Sequence, residues 1–196
     1  MESFLVSTSV VGLAEIGDKT QLLSLVLAAR YRKPIPIVLG VLVATLINHG
    51  FSGALGAWLA SVINPRVMNW AVVASFALMA IWILIPDRLD EADAVTTKGS
   101  FGVFGTTVVT FFLAEMGDKT QIVTVVLAAR FHEFFGVVAG TTLGMMIANV
   151  PAIYLGHKFA DRLPTKAVHA LAAVIFVVMC GFALRAALYP DAHPLF

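Results

Sequence analysis

Glu15, Asp18 and Lys19 stand at i, i+3 and i+4 within Leu13–Gln21, and Glu115, Asp118 and Lys119 repeat the arrangement within Leu113–Gln121. On a helix turning about 100° per residue, Asp18 falls roughly 60° to one side of Glu15 and Lys19 roughly 40° to the other. All three therefore project into one cavity. Apolar runs flank both clusters, which places six ionisable groups at depth in apolar segments. Each such charge costs a few kcal/mol on insertion scales, and charges there mark function by default. Holding helices together needs only an Asn or a Ser, at far lower desolvation cost. The chemistry these residues suit is cation binding. The carboxylates of Glu15, Asp18, Glu115 and Asp118, with oxygens of Thr20, Thr120, Gln21 and Gln121, form a hard donor set suited to Ca²⁺, Mn²⁺ or Mg²⁺. Four ionised acids and two lysines leave a net charge of −2, which one divalent ion or two protons would neutralise. Metal and protons are therefore expected to compete for the same carboxylates.

Gly17 and Gly117 lie inside the two clusters. Glycine permits close packing or an unwound helix there, and a break would free backbone carbonyls as further ligands. Lys19 and Lys119 repel a cation, so they are expected either to pair with Asp18 or Asp118 and then swing aside, or to tie the two motif segments together. Asn48, His49 and Asn149 are additional candidates as ligands or gating groups. The Asn residues read equally as interhelical hydrogen-bonding groups, and His49 as a proton acceptor, a nitrogen ligand or a packing residue.

The elements that carry these residues follow from composition. Of 196 residues, 59% are hydrophobic and 13% charged, with a mean hydropathy of +0.90. Long apolar stretches recur, each near the roughly 20 residues that cross a bilayer. The expected class is an all-α integral membrane protein with lipid around it. Spans are predicted at about 3–30, 36–61, 67–85, 101–130, 134–160 and 165–188. A net charge of +1 without a basic run excludes a nucleic-acid partner. The lone Cys180 can form neither an intrachain disulfide nor a thiolate metal site. The start of the chain lacks the pattern of a cleaved signal peptide, so the first helix is expected to direct insertion.

The halves are duplicates at a constant offset of 100 residues: between 13 and 30 and between 113 and 130, 13 of 18 positions are identical. Three spans per half is an odd number, so the second half is expected to enter from the opposite side. The predicted architecture is six transmembrane helices as two inverted-topology three-helix repeats, 1–86 and 101–196, joined by an acidic cytoplasmic linker at 87–100. Sites in such folds lie near the midplane, where corresponding broken helices meet. Eight Lys/Arg residues collect on one face and three on the other, which predicts both termini outside the cytoplasm. The expected location is the inner (plasma) membrane.

Two Glu-x-Gly-Asp-Lys-Thr motifs, each on the first helix of a three-helix repeat, resemble the Gdt family of calcium/manganese–proton exchangers, grouped with the LysE-type exporters. The resemblance spans essentially the whole chain and is closest to the compact bacterial manganese exporters. It implies that Glu15, Asp18, Glu115 and Asp118 bind the cation, and that Mn²⁺ or Ca²⁺ leaves the cytosol as protons enter. It implies transported ions and no permanent cofactor, and leaves a homo-oligomer open. The competing classes are a cation channel and an intramembrane enzyme such as a lipid phosphatase. A phosphate-handling site would call for Arg clamps, and the nearest arginines, Arg30 and Arg130, fall at predicted helix ends.

Overall fold

The computed structural model describes residues 1–85, 102–155 and 165–189. The expected linker at 87–100, and the end of the fifth span beyond 155, lie outside them. Eight helices make up the described residues: α1 (Glu2–Ala14), α2 (Lys19–Tyr31), α3 (Pro34–Val62), α4 (Pro65–Trp82), α5 (Gly102–Glu115), α6 (Lys119–Phe131), α7 (Phe134–Leu155) and α8 (Thr165–Leu188). Four of them, α3, α4, α7 and α8, contain stretches long and apolar enough to cross a membrane. The 13- and 14-residue helices α1, α2, α5 and α6 rise only about 20 Å each, short of a hydrocarbon core of about 30 Å.

Local chemistry sets the boundaries. Pro34 and Pro65 open α3 and α4 at the first helical position, where the missing N–H would have no intrahelical partner. The Asn64 side chain caps α4 by accepting from the Arg66 N–H at 2.9 Å. Helices α2 and α6 end alike. Arg32 and His132 turn left-handed, at φ 52° and 54°, and return their N–H groups to the Ala28 and Ala128 carbonyls.

The short helices follow the long helix of the other half. Small residues let them approach closely. A Cβ at Gly140 of α7 would sit 2.5 Å from the Phe4 carbonyl and 2.9 Å from Ser7 Cβ, while one at Gly40 of α3 would sit 2.6 Å from Thr107 Cβ. These are equivalent positions in the two halves. Further along α7, Gly144 meets Gly12, the Ala148 carbonyl accepts from Gln21, and Asn149 accepts from Ser24. Thus α1 and then α2 run along α7 in its own direction. In the same way α5 and α6 run along α3, with Thr107 at Gly40, the Phe112 carbonyl at Asn48, and Val125 and Ala128 at Gly56.

One apolar core joins Val10, Phe76, Leu127, Met145 and Phe176 across α1, α4, α6, α7 and α8. A second joins Leu27, Ile37, Val41, Phe111 and Ile153 across α2, α3, α5 and α7. The outer surface is also apolar: Phe51, Trp58, Leu78, Ile81, Val174 and Val177 are all exposed. In water such a surface would aggregate; in lipid it is the expected exterior.

Candidate metal centre

Both short-helix pairs are interrupted within the motif, at equivalent places. Helix α1 ends at Ala14, Gly17 takes φ 85°, and α2 starts at Lys19; α5 ends at Glu115, Gly117 takes φ 76°, and α6 starts at Lys119. A left-handed backbone is costly for residues with a Cβ and nearly free for glycine. The broken turns are closed by Asp18 N–H donating to the Glu15 carbonyl and Asp118 N–H donating to the Glu115 carbonyl, each at 3.1 Å. The Gln side chains brace them. The Gly17 N–H donates to Gln21 Oε1 at 3.0 Å, and the Gly117 N–H to Gln121 Oε1 at 2.8 Å.

The breaks deliver carboxylates to one point. Oxygens of Glu15, Glu115 and Asp118 lie within 4.8 Å of one another, and all three residues are buried. Two oxygens on one cation at 2.3–2.6 Å are separated by at most about 5 Å, so the spacing fits a single ion. Thr20 Oγ1 donates to Glu15 Oε2 at 2.6 Å, and Thr120 Oγ1 to Glu115 Oε2 at 3.0 Å. Among the described residues, Glu15 Oε1, Glu115 Oε1 and Asp118 Oδ2 are left buried with no hydrogen-bond donor, the condition expected of oxygens that accept a cation. Asp18 is buried at the N-cap of α2, as Asp118 is at the N-cap of α6, and neither caps its own helix with its side chain. Asp18 does not belong to the three-carboxylate group.

The two lysines sit differently. Lys19 Nζ lies 3.3 Å from Asp118 Oδ1, an ion pair between the two halves. Lys119 Nζ donates to the Ile85 carbonyl beyond the end of α4, at 2.8 Å. Around this centre, Gln21 is held at both ends of its amide, since its Nε2 donates to the Ala148 carbonyl at 3.0 Å. Asn48 Nδ2 donates to the Phe112 carbonyl at 3.2 Å, tying α3 to α5. Asn149 accepts from Ser24 Oγ at 2.7 Å, tying α7 to α2. His49 is buried on α3, and among the described residues neither ring nitrogen has a hydrogen-bond partner.

Two contributors were not marked by the motifs. Ser24 is one; its signal was available, because a hydroxyl recurs at the equivalent position as Thr124. His169 of α8 is the other, with its Nε2 2.8 Å from the Ile16 carbonyl inside the first break. Nothing in the chain singled it out, since the matching position holds Asn69.

The family model described as divalent cation/proton antiporter GDT1 matches residues 3–91 and again 103–191. The chain belongs to this family. The two matches repeat the 100-residue offset of the halves. GDT1 proteins are transporters and not enzymes, and the Gdt resemblance of the two motifs is thereby borne out. A Vibrio cholerae protein named "putative manganese exporter" is 46% identical over 180 residues, covering 91% of this chain and 88% of its own. A GDT1-like protein of Synechocystis is 28% identical, covering 90% and 93%. GDT1-like protein 4 of Oryza sativa subsp. indica is 26% identical, covering 96% and 74%. No solved structure matches the chain. An antiporter of divalent cations and protons needs a site that both ions can occupy, and the buried carboxylates are of that chemistry.

Proposed function

We propose that this GDT1 protein expels Mn²⁺ from the cytosol in exchange for protons, by alternating access around a site built from Glu15, Asp18, Glu115 and Asp118, with Ca²⁺ as a second substrate. One observation carries the reading. Carboxylates from two broken turns, one in each half, meet within 4.8 Å and keep buried oxygens without donors. An ion held there bridges the halves, so its arrival and departure bias their relative arrangement. The name of the Vibrio cholerae relative, "putative manganese exporter", favours manganese, and the all-oxygen donor set accepts both ions.

Lys19 supplies the counter-charge of the metal-free state. Its ammonium is on Asp118 at 3.3 Å; an arriving divalent ion takes over that carboxylate and displaces it. Thr20 and Thr120 orient the two glutamates, and Gln21 and Gln121 hold the breaks open.

Inverted topology underlies the alternation. Its support is directional. The α1–α2 pair runs with α7 and the α5–α6 pair runs with α3, so each broken helix is aligned with the first long helix of the other half. Six spans follow if each short pair crosses as one interrupted helix. The excess of Lys/Arg on one face of the expected spans supports a reading with both termini outside the inner membrane and the 87–100 linker in the cytoplasm.

The deciding experiment is metal and proton flux in proteoliposomes for wild type and for Glu15→Gln, Asp18→Asn, Glu115→Gln and Asp118→Asn. Wild type should move Mn²⁺ when a pH gradient is imposed, in the direction opposite to the proton flow. Each neutralised variant should lose at least about tenfold in rate, the equivalent of about 1.4 kcal/mol in a barrier. Undiminished Mn²⁺ flux in all four variants would remove the site assignment, and flux indifferent to the gradient would remove proton coupling.

A further inference from the structure

We propose that a groove between α1, α4, α6 and α8, lined by none of the motif carboxylates, is a binding site for a zwitterionic aminophospholipid. Its phosphate rests on Arg130 and its ammonium on Glu2. The groove encloses about 460 Å³, within the size range of specific ligand sites. Its walls are apolar. Val10 and Phe76 at its base are each 1% exposed, so it reaches the core rather than lying on the surface. Leu5 and Val178 on its flanks are exposed, and in a bilayer they face acyl chains.

The polarity of the groove is confined to particular groups. Glu2 stands in the first turn of α1 and Arg130 in the last turn of α6, and both line the groove. Those two helix ends are held together, since the Ser3 hydroxyl donates to the Glu133 carboxylate just beyond α6. Among the described residues, neither Glu2 nor Arg130 lies within ion-pair distance of an opposite charge. An arginine at a helix end reaches to the membrane interface while its stem covers apolar surface. Its planar guanidinium matches phosphate in two-pronged geometry.

Charge complementarity selects the headgroup. A net-anionic lipid would bring a second negative charge toward Glu2. A choline headgroup offers its cation without an N–H for the carboxylate. A primary ammonium offers both, and the spare charges of the groove are one of each sign. The acyl chain would lie against Leu5, Val6 and Val10, on the helix that leads into Glu15. The lipid thereby braces the element that carries the first break. The inference does not depend on which ion the carboxylates take.

The test is native mass spectrometry of the full chain, with dioleoyl phosphatidylethanolamine, phosphatidylcholine and phosphatidylglycerol supplied in turn. Wild type should retain the ethanolamine lipid about tenfold over the other two, a difference of one decade in affinity. Arg130→Gln should abolish that retention, Glu2→Gln should erase the preference for ethanolamine over choline, and Val178→Trp should fill the groove and reduce all three. Melting temperature and elution volume verify that each variant is folded. Arg130→Met, which keeps the apolar stem and removes the charge, stands in if Arg130→Gln is not. Equal retention of the three lipids by wild type would overturn the proposal, as would a preference unchanged in both charge variants. A dimer that Val178→Trp dissociates, with no lipid preference, would give the groove to a second copy of the chain and equally overturn it.

Discussion

Lys19 is the residue whose position says most about how an antiporter site can be emptied. A cluster of buried carboxylates is unstable without positive charge, and here the Lys19 ammonium lies 3.3 Å from Asp118. At an effective dielectric of about 20, a charge pair at such a distance is worth several kcal/mol before desolvation is subtracted. The lysine therefore competes with the metal. In Lys19→Met that competitor is gone while the carboxylates remain. The expected outcome is about tenfold tighter Mn²⁺ binding, or about 1.4 kcal/mol, together with slower turnover because release is no longer assisted. Calorimetric affinity and liposome flux read the two effects separately. Weaker binding in the variant would instead make Lys19 a structural tie.

Packing between helices decides whether the two breaks can meet. Gly40 and Gly140 stand at equivalent places, and each brings a long helix onto a short helix of the opposite half. A Cβ at Gly140 would press on the Phe4 carbonyl, which is backbone and cannot move aside. Overpacking of that kind costs about 1–3 kcal/mol. Gly140→Ala is expected to lower the melting temperature in detergent and to slow transport by pushing α1 away from α7. A Cβ at Gly181 would meet nothing within 4 Å, so Gly181→Ala should be neutral or gain up to about 1 kcal/mol from helix propensity. Equal melting temperatures for the two variants would show that the close approach is dispensable.

For the molecule as a whole, a metal ion bridging the halves is a ligand of the folded state. Carboxylates from both halves lie within 4.8 Å of one another, so on the proposed site Mn²⁺ at about a hundred times its Kd should add about 2.7 kcal/mol to stability. Metal binding requires deprotonated carboxylates and releases their protons. The added stability is therefore largest at alkaline pH and shrinks as pH falls and protons take the same oxygens. Thermal melts with and without Mn²⁺ across a pH series check this. A metal-induced shift that is constant with pH would separate the proton and metal sites.

The sequence by itself determined the helical membrane class and the duplication, and it marked the four acids and the two motif glycines as candidates. The reason is that these rest on local properties: hydropathy over a span length, identity at a fixed offset, and the backbone freedom of Gly17 and Gly117. The tertiary structure decided which oxygens meet. Glu15, Glu115 and Asp118 converge while Asp18 stays outside that group, and Lys19 takes an ion pair while Lys119 turns to the Ile85 carbonyl. The two motifs are nearly identical, so no reading of either could have separated their roles. The difference comes from their surroundings, because a side chain's partner depends on which helix packs beside it. The same holds for Gln21, a ligand candidate by composition, whose amide is taken up by the Gly17 N–H and the Ala148 carbonyl. It holds also for His169, which reaches the first break only because α8 packs against α1.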